Sequence, residues 1–498
     1  MMSIHWLWTA LALAAVWFFL QDLFLMKKRK RFPPGPKGLP IIGNLHLLGK
    51  NPHQDLAKLA KKHGPLMYMR FGYVPAIIVS SPEAAEKFLK TYDQVFASRP
   101  YHESSWYVSY EQRNLSFAQY GPYWRNMRKL CILQLLSSHK INSFLPMRRE
   151  EVGTLVKSLK QAASDGAAVD LTAAISSLGA NMSCLMIFGK KYMDKDFDDR
   201  GFRDVIGEAL RLGATPNLGD YFPLLGVLDL QGLTRRFKDL AKVFDNFFEK
   251  IIDEHLQSQE HKQTKDVVDI MMGIMQSGEA EFEFDRRHVK AVLLDLLVAS
   301  MDTSVTAVEW AISELLRRPE AMRKLQKELE DKVGLERTVE ESDVEGLEYL
   351  DMVIKETMRL HPVAPLLLPH ESMEDCTVDD FHIQKKSRII INVYAIGHDP
   401  NVWPDPETFI PERFKDSNID LRGQDFQLIP FGSGRRGCPG LQLGILLVRF
   451  VLAQLVHCFN WEPADNIKST DLDMSETFGL VLSRAKHLKV VPTYRLQE

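Results

Sequence analysis

Phe431-Gly432-Ser433-Gly434-Arg435-Arg436-Gly437-Cys438-Pro439-Gly440 is the stretch of this 498-residue chain that decides its fold. It places one cysteine in a glycine-rich loop, directly before an apolar segment at 441–457 that has helical periodicity. Glycines let the backbone approach a flat ligand closely, and amides at a helix N-terminus stabilise a thiolate. Arg436 is near enough in sequence to neutralise an anionic ligand. The loop therefore predicts a ligand-binding sulfur at Cys438.

Neither a zinc site nor a phosphate-binding loop fits these residue types. A zinc site needs several cysteine or histidine ligands together, and none accompany Cys438. A phosphate-binding Walker loop needs Gly-Lys-Ser/Thr, which is absent. The cysteines of the chain also lack the paired spacing of a disulfide framework, so they favour a reducing compartment. They are Cys131, Cys184, Cys376, Cys438 and Cys458.

The cysteine loop (431–440) matches without a mismatch the pattern Phe-x-x-Gly-x-Arg-x-Cys-x-Gly, and on it the chain is identified as a member of the cytochrome P450 superfamily. The resemblance runs from the proline-rich segment 33–40 to the C-terminal strands, and the segments 117–124 and 478–480 resemble the plant microsomal branch. It implies a mainly α fold with minor β, a triangular helical prism with small β-sheets, in one catalytic haem domain over residues 41–498.

The resemblance also implies the cofactor and the residues that hold it. The cofactor is haem b, with Cys438 as the axial ligand of its iron. The other cofactor-binding residues that the resemblance implies are Trp124, Arg128, His370, Phe431, Gly434, Arg436 and Gly440.

A second motif is the pair Glu356 and Arg359, at i and i+3 of a predicted helix that Pro362 ends. The two side chains share a helix face and can form an ion pair. Most such pairs are solvated surface contacts of little energetic value. The resemblance joins this pair to Arg413 of the segment 411–414 and implies a buried structural lock behind the haem.

A third motif is Trp124 and Arg128, four residues apart in a predicted helix, so that the indole N–H and the guanidinium point in one direction. An isolated pair of this kind is usually a surface cation–π contact. The resemblance implies instead that both residues bind the haem propionates, together with His370 and Arg436.

The segment 299–304, Ala-Ser-Met-Asp-Thr-Ser, lies in the middle of a long apolar helical pattern. A hydroxyl in the helical ladder can open a local groove for water, and a neighbouring acid can relay protons. The resemblance implies that Thr303 holds the iron-bound oxygen and that Asp302 delivers protons. Asp295 and Glu309 are better explained as a polar stripe on a buried helix.

The chain departs from the family pattern at several positions near this segment. The usual glycine before the acidic residue is Ser300, and Met301 follows it, which puts the shape of the pocket in doubt. Residues 385–388 read Lys-Lys-Ser-Arg where Pro-Lys-Gly-Thr is expected, and His398 stands where plant members usually carry arginine. None of these is the predicted ligand or belongs to the Asp–Thr pair, so we expect activity to be retained.

The implied reaction inserts one atom of dioxygen into a C–H bond or an aromatic ring, while the other atom leaves as water. Nothing in the chain resembles a flavin or nicotinamide fold, so electrons from NADPH would arrive through a separate cytochrome P450 reductase, with cytochrome b5 as a further partner. The pocket lining that the family implies is mainly apolar and predicts a small lipophilic plant metabolite, such as a sesquiterpene, a phenylpropanoid or a biphenyl. That lining includes Ser300, Met301, Val363, Ala364, Leu366, Leu367, Phe478 and Leu480.

Two rival functions belong to other classes. A haem-thiolate rearrangement or dehydration enzyme uses a hydroperoxide and no reductase, and loss of the Asp–Thr pair would favour it. Asp302 and Thr303 are present. A haem protein that only binds or senses gas would show no NADPH consumption coupled to substrate.

The N-terminus predicts a membrane anchor. Residues 4–26 are almost entirely apolar, about the length that crosses a bilayer as a helix, and five Lys and Arg residues follow at 27–31. A cleaved signal peptide would carry its positive charge before the apolar run. We therefore predict a signal-anchor helix over residues 1–26 and a basic stop-transfer block with a proline-rich hinge over 27–40. The positive charges put the catalytic domain on the cytosolic face of the endoplasmic reticulum.

The remainder of the chain has mostly helical periodicity. A β-hairpin is predicted at 66–80, with short strands near 376–383, 387–393 and 479–492. The stretch 285–317 is apolar enough for a second membrane span, but its carboxylates argue for a core helix, because such groups are rare at bilayer depth. Helices are predicted near 82–91, 122–136, 144–163, 171–188, 200–213, 231–258, 266–276, 285–317, 319–333, 346–360 and 440–457.

The charge of the chain excludes one class of partner. It has 62 Lys and Arg against 65 Asp and Glu, a formal net charge of −3. Such a nearly neutral protein has no overall field to attract a polyanion. We therefore expect no nucleic-acid partner.

Overall fold

A computed structural model of the chain describes residues 31–192, 201–257, 264–465 and 467–497. The predicted signal anchor, residues 1–26, lies outside the described residues. Helices dominate the described chain and four small sheets accompany them, which confirms the mainly α fold with minor β. The α-helices are Pro52–His63, Pro82–Glu86, Asp93–Phe96, Glu103–Val108, Pro122–Leu130, Ser138–Ser143, Leu145–Ser164, Leu171–Phe188, Phe202–Ala214, Leu218–Tyr221, Pro223–Gly226, Leu233–Gln257, Val267–Ser277, Arg286–Arg317, Pro319–Val333, Glu348–Leu360, Val393–Gly397 and Leu441–Cys458.

The sheets are small, with at most four strands each in the described chain. The largest has the strand order β1-β2-β7-β4, in which β2 and β7 are parallel and the other pairs are antiparallel. The predicted hairpin at 66–80 is confirmed as β1 and β2, which turn at Gly72 with φ +60°. The strands are β1 Leu66–Phe71, β2 Val74–Val79, β3 Val169–Asp170, β4 His370–Glu371, β5 Cys376–Val378, β6 Phe381–Ile383, β7 Arg388–Ile391, β8 Phe459–Pro463, β9 Glu476–Thr477, β10 Ser483–Arg484 and β11 Lys489–Tyr494.

The central helix, Arg286–Arg317, organises the core. It begins at a capping box in which the Asp285 side chain accepts from the backbone N–H groups of Arg287 and His288. Its first half packs in one hydrophobic cluster and its second half in another, and both include residues of the helix Leu171–Phe188. The segment 299–304 therefore lies where the two halves of the core meet.

Three described helices are long and apolar enough to cross a membrane by length and composition alone: Leu171–Phe188, the central helix, and Leu441–Cys458. More than half of the apolar window of each is buried inside the protein. The central helix packs directly against the other two. These contacts support the prediction that 285–317 is a core helix.

The structure departs from the predicted elements at two helix ends, in one strand and in several helices that were not predicted. Apart from Pro52–His63, the unpredicted helices are the short Asp93–Phe96, Glu103–Val108, Ser138–Ser143, Leu218–Tyr221, Pro223–Gly226 and Val393–Gly397. The predicted helices at 82–91 and 122–136 both end in a π-helical turn, Lys87–Thr91 and Cys131–Leu135 respectively. Helix Pro52–His63 was not predicted, because it is rich in charge and buries only His53 and Leu56, which leaves little apolar periodicity. The strand predicted at 479–492 is interrupted, with β10 and β11 separated by a loop.

Candidate active site

The cysteine loop is held in a tight fold by its own backbone. The N–H of Cys438 donates to the carbonyl of Phe431 at 2.8 Å, and a 3₁₀ turn spans Gly434–Arg436. Gly434 has φ +67°, and a Cβ there would overlap the carbonyl oxygen of Leu89 and lie 3.0 Å from Cγ of Asp93. Only glycine fits this position without strain.

The Cys438 sulfur lies deep in the protein yet has free surface. Burial raises the pKa of its thiol, against the backbone N–H of Gly440 and the charge on Arg128, which lower it. Its side chain is nevertheless exposed, so it borders an open space and not packed core. A thiol in this position becomes a thiolate readily when a metal ion binds to it.

Arg436 lies beside that space and points away from solvent. Its guanidinium donates to the carbonyls of Ala97, Leu115 and Ala118 at 2.7, 3.2 and 2.6 Å. It also stacks 4.0 Å above the ring of Trp124, whose indole N–H donates to the carbonyl of Leu115 at 2.9 Å. Helix Pro122–Leu130, the loop before it and the cysteine loop are thereby tied together.

Two further arginines face the same region. Arg128 donates to the carbonyl of Gly437, next to the cysteine, at 2.7 Å. Arg99 is buried and donates to the carbonyls of Ser116 and Leu368 at 3.1 and 2.6 Å. Sequence analysis missed Arg99, because its role depends on contacts with residues 116 and 368 that are distant in sequence.

We call Arg99, Arg128 and Arg436 the arginine cluster. Burial and the charges of Arg99 and Arg128 lower the pKa of Arg436 to about 8, while burial and the charge of Arg128 lower the pKa of Arg99 to about 9. Within the described residues these guanidiniums bond to backbone carbonyls and form no ion pair with a carboxylate. Buried, mutually repelling cations of this kind fit a ligand with anionic groups, such as the two propionates of haem.

His370 joins the cluster as a neutral group. Its Nδ1 is 2.8 Å from the carbonyl of Phe96, so it donates there. Burial and the charges of Arg99 and Arg436 lower its pKa well below the usual value. The Nε2 of a neutral imidazole adds a polar atom to this cationic wall without adding charge.

Thr303 and Asp302 lie at the middle of the central helix. The Thr303 hydroxyl donates to the carbonyl of Ala299 at 2.8 Å, which leaves the lone pairs of its oxygen free to accept. Burial raises the pKa of the Asp302 carboxyl, and no charged partner within the described chain offsets that rise. A half-buried acid with a raised pKa keeps its proton more readily than a solvated carboxyl does and can pass it to a neighbouring acceptor.

Ser300 and Met301 lie on the part of the central helix that packs against helix Leu171–Phe188. The Ser300 hydroxyl donates to that of Ser183 at 2.7 Å and lines a cavity of about 30 Å³ between three helices. Met301 is buried in a hydrophobic cluster, and its carbonyl lies against Gly179. The Ser300 hydroxyl and the Met301 carbonyl therefore face helix Leu171–Phe188, and the place of these two residues in the substrate pocket stays a prediction.

The other predicted pocket residues lie on two segments that touch each other. The N–H of Leu482 donates to the carbonyl of Val363 at 2.9 Å, which ties the loop between β9 and β10 to the turn at 363–368. In that loop Phe478 stacks on His53 with ring centroids 5.4 Å apart, and Leu480 packs against Gly213. Ala364, Leu366 and Leu367 lie in the turn itself, where Leu367 adopts φ +50°.

Glu356, Arg359 and Arg413 form a buried ionic group away from this space. Glu356 accepts two bonds from Arg359 at 2.8 Å each and one from Arg413 at 3.0 Å. Arg359 also donates to the carbonyls of Gly397 and Pro406. Every charge in the group has a partner, so it holds helix Glu348–Leu360 against the segment 397–413.

In the described part of the chain, an accessible cysteine lies beside arginines that form no ion pair with a carboxylate. This arrangement is expected of a haem-thiolate enzyme. The Cytochrome P450 family profile matches residues 33–490. The chain belongs to the cytochrome P450 family, and it is therefore a monooxygenase whose cofactor is a haem iron.

Individual relatives agree with that assignment. A cytochrome P450 of Panax ginseng is 50% identical over 490 residues, with 97% of each chain covered. The phenylacetaldehyde oxime monooxygenase of Prunus mume is 42% identical, covering 94% of this chain and 90% of its own. A zebrafish cytochrome P450 solved with progesterone superposes with a TM-score of 0.75 at 26% identity, over 89% of this chain and 99% of its own.

Proposed function

We propose that the chain inserts one oxygen atom from O2 into a small lipophilic specialised metabolite of plants. The observation that carries the proposal is the pairing of an accessible Cys438 with the arginine cluster, which lacks carboxylate partners within the described residues. One thiol to ligate a metal and several cations to hold carboxylates match the two ends of haem b. When bound, the haem supplies the iron that activates dioxygen, and thiolate ligation favours cleavage of the O–O bond.

Separate residues of the chain are proposed to hold the haem and to shape its binding loop. Cys438 would ligate the haem iron, and Arg128, His370 and Arg436 would contact its propionates. Trp124 would support this group through its ring, which stacks on Arg436, because its one N–H donates to Leu115. Phe431, Gly434 and Gly440 shape the loop around the sulfur.

Proton supply is assigned to the centre of the central helix. Thr303 has a free acceptor oxygen because its own hydrogen is donated to Ala299. It can therefore hold a protonated group next to it without losing its rotamer. Asp302 has a raised pKa and can exchange a proton with water. Together they would deliver protons while the surrounding apolar residues exclude bulk water.

The substrate is assigned from the pocket walls. Val363, Ala364, Leu366, Leu367, Phe478 and Leu480 are the proposed lining, and they offer apolar surface and one aromatic ring. Such walls favour a terpenoid such as a sesquiterpene, or an aromatic such as a biphenyl or phenylpropanoid. The Prunus mume relative is named for an aromatic oxime, which supports the aromatic alternative.

Electrons are proposed to come from NADPH through a cytochrome P450 reductase, with cytochrome b5 as a second donor. The proposed location is the endoplasmic reticulum membrane, with one anchor helix over residues 1–26 and the catalytic domain on the cytosolic side. An apolar substrate dissolved in lipid would reach a membrane-bound enzyme directly.

An exposed apolar patch supports the membrane location. Leu224, Val227 and Leu230 are 86%, 90% and 65% exposed, far more than large apolar side chains usually are. The segment just before them contacts the turn between β1 and β2, where the N–H of Tyr73 donates to the carbonyl of Tyr221 at 3.0 Å. That turn also bonds to the region 39–43, close to the start of the described chain. The patch is therefore connected through this turn to the segment 39–43 at the end of the predicted hinge region.

The first test concerns the ligand. The purified chain is expected to carry haem and to give the reduced carbonyl spectrum of a thiolate-ligated iron. Cys438→Ser should lose that spectrum, while Cys458→Ser, which changes a buried cysteine elsewhere, should keep it. A Cys438→Ser protein with an unchanged spectrum would remove the proposal.

The second test concerns the reaction. Co-expression with a plant reductase in microsomes, followed by product analysis over terpenoid and aromatic candidates, should give an NADPH-dependent hydroxylated product. Thr303→Ala should lower product formation by about 100-fold while NADPH is still consumed, because proton delivery contributes on that order. Thr303→Ser keeps the hydroxyl and should retain most product. Turnover from a hydroperoxide without NADPH would favour the rearrangement enzyme instead.

A further inference from the structure

Asp295 is a buried carboxylate on the central helix that the proposed reaction does not use. It accepts hydrogen bonds from Nδ2 of Asn114 at 2.7 Å and from the backbone N–H groups of Leu115 and Ser116 at 2.6 and 3.0 Å. All three donors belong to one short stretch, which we call the bridging loop (114–118). A carboxylate that accepts two successive backbone amides holds that backbone in a fixed orientation.

The opposite side of the bridging loop faces the arginine cluster. The carbonyls of Leu115 and Ala118 accept from Arg436 at 3.2 and 2.6 Å, and that of Ser116 accepts from Arg99 at 3.1 Å. Two N–H groups of the loop thus donate to an anion, and three of its carbonyls accept from two cations. The peptide unit between Leu115 and Ser116 lies directly between opposite charges, because its N–H donates to Asp295 and its carbonyl accepts from Arg436, so the bonds on its two sides strengthen one another.

We propose that Asp295 is a positioning residue for the proposed haem site. By holding the bridging loop in place, it fixes the carbonyls that orient Arg99 and Arg436. The inference rests on the proposed haem site, since those arginines are assigned to the propionates. Through the peptide unit between Leu115 and Ser116, the negative charge of Asp295 also strengthens the carbonyl dipole that faces Arg436, an arginine with no carboxylate partner in the described chain.

Two observations support a role beyond local packing. Burial raises the pKa of the Asp295 carboxyl to about 6, although three hydrogen-bond donors contact it. The fold therefore keeps at this position a carboxylate whose ionised form is costly to bury. The carboxylate of Glu309, on the same helix, has ordinary structural partners in Thr172 and Arg484, which lie far from the bridging loop in sequence. Glu309 therefore serves as a matched control.

The test compares full-length Asp295→Asn with Glu309→Gln, both as haem-loaded protein. Asparagine keeps the shape and an acceptor oxygen but removes the charge. We expect the amides of Leu115 and Ser116 to exchange hydrogen about tenfold faster in Asp295→Asn, because a hydrogen bond to a charged group is weakened. Haem transfer to an acceptor apoprotein should accelerate by about the same factor. Glu309→Gln should leave both rates near the wild-type values.

A second variant tests the same inference in case Asp295→Asn folds poorly. Asn114→Ala removes one donor and leaves the charge, so haem transfer should accelerate in the same direction by a smaller factor. Two results would contradict the inference. In the first, the amides of the bridging loop exchange hydrogen faster in either variant while haem is lost at the wild-type rate. In the second, the hydrogen exchange of these amides does not change. Wild-type protein without haem would instead overturn the proposed function, so the two failures are distinguishable.

Discussion

Arg99 is a residue of the proposed haem site that the sequence motifs did not indicate. It is buried, its guanidinium bonds the carbonyls of Ser116, Leu368 and Pro369, and the charge of Arg128 acts on it unopposed by a carboxylate in the described chain. A cation kept in that state gains most from an anionic ligand. Its position also joins the bridging loop to the turn at 368–369, so it acts on both the cofactor and the pocket wall.

Replacing Arg99 should therefore weaken haem retention. Arg99→Leu removes one charge-assisted contact worth about 1.5–3 kcal/mol, which corresponds to haem loss at least about tenfold faster. The measurement is the rate of haem transfer to an acceptor apoprotein, followed by the Soret absorbance. Arg125→Leu is the control, because Arg125 is exposed on helix Pro122–Leu130. Equal rates in the two variants would show that Arg99 does not contact the propionates.

At the scale of single residues, sequence analysis finds the ligand candidate and most of its surroundings, but not the direction in which each side chain points. The motif around Ser300 predicts a pocket residue, and the Ser300 hydroxyl faces Ser183 instead. The pattern around Asp295 predicts a polar stripe, although Asp295 bonds a loop 180 residues away in sequence. Such contacts depend on long-range packing, which local periodicity does not encode.

The cysteine loop is the element on which the site depends, and its glycines are not equivalent. Gly434 has φ +67° and its α-carbon faces the backbone of Leu89, whereas Gly440 has φ −90° and a Cβ there would lie 3.9 Å from the Cys438 sulfur, an ordinary contact. Gly434→Ala should cost about 1–3 kcal/mol in backbone strain, with the overlap adding to it. Gly440→Ala should be tolerated.

The comparison is made by haem content and thermal midpoint of the two purified variants. We expect Gly434→Ala to bind less haem and to unfold at a lower temperature than Gly440→Ala. If both variants retain full haem content, the loop is more pliable than its backbone angles indicate, and the glycines there serve another purpose.

The helix Glu348–Leu360 makes a second prediction at this scale. Glu356 accepts from Arg359, from Arg413 and from the backbone N–H of Ile410, and it is fully buried. Glu356→Gln leaves two buried guanidiniums without their counter-charge, which should destabilise the fold by about 3–5 kcal/mol. The thermal midpoint and the yield of folded protein should both fall.

Glu348→Gln on the same helix is the control, since Glu348 is exposed. Its thermal midpoint should remain near the wild-type value. A Glu356→Gln protein as stable as this control would mean that the arginines are held mainly by the backbone carbonyls of the segment 397–408.

Long apolar elements were predictable and short or polar ones were not. The helices at 171–188 and 319–333 were predicted to the residue, because apolar periodicity or a proline start defines their ends. The π turns that end two other helices were missed, since one inserted residue per turn leaves the apolar pattern almost unchanged. Strands of two residues, such as β4, have no sequence pattern of their own.

At the scale of the whole molecule, the interior and the surface use apolar residues for different purposes. Three helices with membrane-like composition are largely buried and build the core around the central helix. Several apolar residues at 224–230 are instead exposed, in the segment that follows the contact of Tyr221 with the turn between β1 and β2. A core accounts for the first group, and contact with lipid is the proposed reason for the second.

Membrane contact by the patch should survive removal of the predicted anchor. A chain that starts at residue 31 is expected to bind neutral phospholipid vesicles weakly, through Leu224, Val227 and Leu230. Replacing all three by serine should lower the partition coefficient about 100-fold, at ~1 kcal/mol for each side chain partly buried in lipid. Flotation of vesicles with labelled protein measures this partition coefficient.

The control replaces Leu133, Leu256 and Ile467, which are exposed outside the patch, by serine and should leave binding unchanged. Equal loss in both triple variants would indicate general surface hydrophobicity and no dedicated membrane face.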